Sequence, residues 1–205
     1  LMRTPIILTG VVAALAAAVA PAPAADEVPA WASNRDDRTP KERSDHLSRL
    51  GVLGWHAAGV RGECVTIAVL DSGWRGYKDQ VGKSLPAGLV ARSARADGDM
   101  EYKDSQHGIL CGEVAHTIAP GAKMIVSNWD ADRPESFLDA VRWAKAQGAS
   151  IITCSVVKPS WSDGEGGGPV HKKLAEIIGG GSKPGDVLFF SCAGNPAERH
   201  WAGTV

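Results

Sequence analysis

Apolar residues fall along this chain in short unbroken runs, separated by polar or helix-spaced stretches. The run 64–70, CVTIAVL, stops at Asp71-Ser72-Gly73. Val65, Ile67, Val69 and Leu70 leave no polar alternation, so the run predicts a strand buried on both faces, as at the centre of a parallel sheet. Further strands are expected over 85–93, 123–128, 150–157 and 187–192. Between them lie helix signatures. Ser44 is placed to cap a helix running to about Ala58, with Leu47, Leu50, Val52, Leu53 and Trp55 among its apolar positions. Ser105 is an N-cap candidate for a helix that holds His107 in its first turn and runs to about Thr117. The stretch 135–147 is amphipathic, with Phe137, Leu138, Val141 and Trp143 inward and Gly148 as its stop. Residues 170–178 read as a shorter helix. The Gly-rich stretch 161–169 reads as plain loop, since it lacks the Lys-Ser/Thr of a phosphate cradle. Alternating strands and helices predict an α/β domain, a parallel sheet flanked by helices on both faces.

The ends differ from this pattern. Arg3 precedes an apolar run, Ile6 to Ala20, which passes into Ala20-Pro21-Ala22-Pro23-Ala24. Residues 1–24 therefore read as a signal peptide, with an uncleaved N-terminal anchor as the alternative. Either way the domain is exported, to a secreted or periplasmic location where disulfides are permitted. Residues 25–43, rich in Pro, Asp, Arg and Ser, read as a flexible lead-in, and 44–205 as the folded domain. The 205 residues carry a formal net charge of -1, which gives no basic footprint for nucleic acid. No membrane association is expected once residues 1–24 are removed.

The candidate chemistry lies at strand ends. Ligands of open α/β sheets bind outside the carboxyl ends of the strands, and Asp71 is the first residue after such an end. His107 sits at a helix start, where free N–H groups suit an imidazole that stays neutral and accepts a proton. Asn195 follows the strand 187–192, and its amide can donate to a developing oxyanion. A carboxylate that orients an imidazole, an imidazole that takes a hydroxyl proton and an amide that receives an oxyanion form a proteolytic arrangement. The plainer readings are a turn-forming Asp71 and a surface His107. Cys111, four residues after His107, shares its helix face. Cys64, Cys111, Cys154 and Cys192 all fall in apolar segments and read as buried free thiols, although three disulfide pairings stay open. No Cys-x-x-Cys or paired His spacing supports a metal, and no cofactor is expected. The other histidines are scattered and read as surface or structural.

These motifs resemble the subtilisin-like serine proteases. VTIAVLDSG is similar to that family's aspartate motif, and His107-Gly108 opens its histidine motif. APGAK follows as a strand entry, SIITCSV resembles the strand beside the substrate cleft, and SCAGN the oxyanion motif of Asn195. The resemblance spans residues 50–203, and HGxxCxEV with AGN…RHW is similar to one exported bacterial subgroup. It implies a serine endopeptidase acting on proteins or peptides, with Asp71 and His107 catalytic and Asn195 in the oxyanion hole. It also implies that Ser155, Val156 and Val157 bind substrate and that Cys111 is a free thiol beside the site. Three departures matter. Ile109 stands where Thr is usual. The segment before APGA is too short for the family's calcium loop, and whether calcium binds elsewhere is not readable. The family's Gly-Thr-Ser nucleophile motif does not occur in the 205 residues. The expectation is thus an inactive N-terminal portion of a catalytic domain whose C-terminal part is missing, or a protease-derived binding module that lost its serine.

Overall fold

The computed structural model describes residues 40–194, apart from Gly164 and Gly166. The signal peptide and nearly all of the lead-in assigned from the sequence lie outside the described residues, as does Asn195. Five strands, β1 (Thr66–Leu70), β2 (Val90–Ser93), β3 (Lys123–Asn128), β4 (Ile151–Cys154) and β5 (Leu188–Ser191), form one sheet in the order β2-β3-β1-β4-β5. Every neighbouring pair is parallel. Five α-helices accompany them: α1 (Pro40–Arg49), α2 (Val52–Ala57), α3 (His107–Ile118), α4 (Pro134–Ala146) and α5 (Pro169–Ile178).

Strand alternation divides the interior into two cores. Ile67, Val69, Met124 and Val126 point to one face and pack with Trp74, Leu85 and Ile109 of α3. Ala68, Leu70, Ile125 and Ile152 point to the other, against Phe137, Leu138, Val141 and Ala144 of α4. Val170, Leu174 and Ile177 of α5 flank this second core. Burying each Leu, Ile or Val contributes roughly 1.5–3 kcal/mol, so the central strand β1, apolar on both faces, is where the two layers are joined. Phe137 adds edge-on contacts to Trp129 and Phe189, at ring-centroid distances of 5.2 and 6.4 Å. Among the described residues no helix is long and apolar enough to cross a membrane.

Several expected boundaries move. The helix expected over 44–58 is two helices, because Gly51 takes a left-handed φ of 74° between them. Ser44 lies inside α1 rather than at its cap, and Leu50 and Trp55 are exposed. β1 starts only at Thr66: Cys64 has φ 65° and is exposed, contrary to its reading as a buried thiol. The strand expected over 85–93 begins at Val90, Leu85 being a buried anchor of the loop before it. β4 ends at Cys154, three residues short of the expected end. At α3 the N-cap is Gln106, with Ser105 one position earlier.

Candidate active site

Asp71 continues the β1 ladder one residue past its end, its N–H donating to the Ser127 carbonyl at 3.1 Å. It therefore stands at the carboxyl edge of the central strand, with its side chain 1% exposed. The chain turns back at once. The Gly73 N–H donates to Asp71 Oδ1 at 2.9 Å, and the Trp74 indole N–H donates to the Asp71 carbonyl at 2.9 Å. Trp74 is fully buried. Backbone and carboxylate are thus held from both ends, which leaves Oδ2 to face outward.

Oδ2 meets His107 Nδ1 at 2.7 Å, a charge-assisted hydrogen-bond distance. His107 is the first residue of α3, and two bonds fix that helix start against the loop after Asp71, while a third is local to it. The Gly108 N–H donates to the Gly73 carbonyl at 2.8 Å, the Arg75 N–H to the Ser105 carbonyl at 3.0 Å, and the His107 N–H to Ser105 Oγ at 3.2 Å. Ser105 thus satisfies one of the free donors of the helix, as its sequence position suggested, from just outside the cap. Glycine is required on both sides of this junction. A Cβ on Gly73 would lie 2.5 Å from Ser105 Oγ, and one on Gly108 would lie 2.7 Å from Trp74 Cε2. With Nδ1–H directed at the carboxylate, Nε2 carries the lone pair. Nε2 has no hydrogen-bond partner among the described residues, and the ring is 53% exposed. An oriented imidazole with an open nitrogen at the surface has the geometry a general base needs.

Cys111 lies one turn on, its sulfur 3.8 Å from His107 Nδ1. Burial pushes this thiol up, and a hydrogen bond with Ser155 partly offsets that. Ser155 thus stands beside the thiol. Cys154, whose S–H points at the Val156 carbonyl at 3.6 Å, is pushed up to about 12 by burial. Asp71, His107 and Cys111 each offer a ligand atom within 4.8 Å of one another, donor types that zinc accepts. An ion bound there would have to displace the proton shared by Asp71 and His107 and deprotonate Cys111.

Beside this pair opens a cleft of about 500 Å³, with Ser72, Tyr102, Lys103, Trp129, Val156 and Lys158 among its walls. Val157 also lines it, so both valines singled out in the sequence face this space. Lys103, Trp129 and Lys158 were not singled out. Trp129 follows the last residue of β3, at the same sheet edge as Asp71, and that position is a signal the sequence did offer. Lys103 sits in an aperiodic polar loop and gave none. Asn195 lies outside the described residues.

No family model matches the sequence, and no curated protein matches it. Solved structures that resemble the fold include a lanthipeptide protease (21% identity over 51% of this chain and 32% of that one, TM-score 0.41). MycP1 with its N-terminal propeptide removed is 18% identical over 80% of this chain and 49% of its own, with a TM-score of 0.49. The PatG macrocyclase in complex with peptide is 16% identical over 71% of this chain and 56% of its own, with a TM-score of 0.44. The chain thus spans between about a third and a little over half of the length of these structures.

Proposed function

We propose that this chain carries the aspartate and histidine of a subtilisin-like serine endopeptidase. Asp71 orients His107, and His107 Nε2 takes the proton of a serine hydroxyl as that oxygen attacks a peptide carbonyl. The same nitrogen later returns the proton to the leaving amine. Asn195 donates to the oxyanion in this scheme. The observation that carries the reading is the 2.7 Å contact between a buried carboxylate and an exposed imidazole at the carboxyl edge of a parallel sheet. A turn-forming Asp71 would need no such partner. The ordered motifs quoted above support the same reading. The 205 residues hold no Gly-Thr-Ser run, so the nucleophile is a serine outside them and these residues alone do not turn over peptides. The substrates are proteins or peptides, with no cofactor required, and the domain works after export and removal of residues 1–24.

The test compares the 205-residue chain with one extended by its own downstream coding sequence. Both are assayed on an unstructured protein and with a serine-directed covalent inhibitor. Only the extended chain is labelled and active, and N-terminal sequencing of secreted material starts near Ala25 or Asp26. In the extended chain Asp71→Ala and His107→Ala each lower kcat by about four orders of magnitude, the scale known for subtilisin rather than a value derived from this chain. Labelling of the 205-residue chain would place the nucleophile among its own serines. An extension without Gly-Thr-Ser would favour the binding module.

A further inference from the structure

The cleft beside Asp71 has a chemistry that peptide hydrolysis does not require. Two ammonium groups, Lys103 and Lys158, line it, and no carboxylate is among the described residues that do so. Lys103 Nζ donates to Ser72 Oγ at 3.1 Å and has further donors to spare. Among the described residues the Lys158 ammonium pairs only with Asp132, at 4.0 Å, and that carboxylate is 96% exposed, so the pair is loose and screened. Asp71 stands behind Ser72, but its oxygens are taken by Gly73 and His107. Trp129, 2% exposed, is also among its walls. Its Nε1–H is buried and finds no acceptor among the described residues. A buried donor without a partner is costly, and tryptophan usually finds one.

We propose that this cleft is a subsite for a carboxylate, and that the group it takes is the side chain of an Asp or Glu near the scissile bond. The inference rests on the peptidase reading for the word substrate, but not for the binding itself. A carboxylate seated between Lys103 and Lys158 satisfies both ammonium groups. A glutamine of the same shape brings one oxygen and no charge. The apolar parts of Val156 and Val157 fit the methylenes of such a side chain.

The experiment measures binding to the 205-residue chain, apart from turnover. Three short peptides are titrated: one with an internal Glu and blocked ends, its Gln counterpart, and the Gln peptide with a free C-terminal carboxylate. The readout is the indole ¹⁵N–¹H resonance of Trp129, assigned with Trp129→Phe. The Glu peptide shifts that resonance and binds at least about tenfold more tightly than the blocked Gln peptide, the scale of a charge-assisted hydrogen bond. Lys103→Met and Lys158→Met each shrink the difference, and Lys158→Glu transfers the preference to a Lys-bearing peptide. Equal affinity of the Glu and Gln peptides, or a Trp129 resonance that none of them moves, would overturn the subsite. Response to the free C-terminus alone would overturn the side-chain assignment. Acid-selective binding by a chain whose extended form cuts nothing leaves the subsite standing and removes the peptidase reading. Turnover of Glu and Gln peptides at equal kcat/KM does the reverse.

Discussion

Adding one methyl group at Gly108 tests the junction on which the site depends. The added Cβ would lie 2.7 Å from Trp74 Cε2, 2.9 Å from Asp71 Cβ and 2.9 Å from the Gly73 carbonyl oxygen. Carbon atoms in contact sit about 3.5–4.0 Å apart, so something must move by about 1 Å. None of the three neighbours can retreat cheaply. Trp74 and Asp71 are buried, and the Gly73 oxygen is itself bonded to the Gly108 N–H. Overpacking of this kind costs about 1–3 kcal/mol, offset by about 1 kcal/mol because alanine is the better helix former. The net expectation for Gly108→Ala is a loss of up to about 2 kcal/mol in urea unfolding. If α3 gives way instead, the 2.7 Å Asp71–His107 contact opens past hydrogen-bond range. The downfield Nδ1–H resonance of His107 then broadens or disappears. Two other helical glycines act as controls. At Gly112 the Cβ meets Leu85 Cδ2 at 2.8 Å, the end of a side chain that can turn, and at Gly54 it meets nothing within 4 Å. Gly112→Ala should cost less than Gly108→Ala, and Gly54→Ala should stabilise. If Gly108→Ala were as stable as the parent, with the imidazole resonance unchanged, the steric argument would be wrong.

Three further outcomes follow from other side chains. A mercurial reacting with Cys111 should crowd the imidazole 3.8 Å away, abolishing both the His107 resonance and the activity of an extended chain. Cys111→Ala should be insensitive, and persistent sensitivity would implicate Cys154 or Cys192. Native-state alkylation at about pH 8, mapped by mass, should label exposed Cys64 first and leave Cys154, held at about 12 by burial, unmodified; equal rates at the two sites would contradict this. His116 on α3 has a buried Nδ1 with no partner among the described residues, and burial lowers its pKa. Its neutral form therefore favours the folded state above the ordinary histidine range near pH ~6.5, and that stability is lost as pH falls through the lowered value. His116→Phe should flatten the fall in urea midpoint between about pH 8 and pH 5, and an unchanged slope would place the titration elsewhere.

The sheet could be read from the chain because its central strands are buried on both faces. Residues 66–70 and 123–128 show this as uninterrupted apolar runs, and the strands lie where those runs lie. The edges were harder. Val90 and Leu188 are exposed, so their segments carry less of the burial signal that marks a strand. The helix break at Gly51 depends on a backbone angle, and apolar spacing continues across it through Leu50, Val52 and Leu53. Asp71 and His107 were visible as strand-end and helix-start residues, but their 2.7 Å approach depends on the Gly73–Gly108 bond, a contact between a loop and a helix start 35 residues apart in sequence. The cleft was least visible. Lys103, Trp129 and Lys158 come from three separate loops, and nothing local relates them.

The position of β1 in the sheet also sets an order in time. Its backbone is paired on both sides, by β3 and by β4, while among the described residues β2 and β5 each have one neighbour. Amides in such a strand exchange with solvent only when the domain opens as a whole, whereas edge strands exchange through smaller openings. Deuterium uptake should therefore begin at β2 and β5 and reach residues 67–70 last. Asp71 is attached directly to that most protected strand, so its carboxylate would keep its position through local openings that disturb the outer strands.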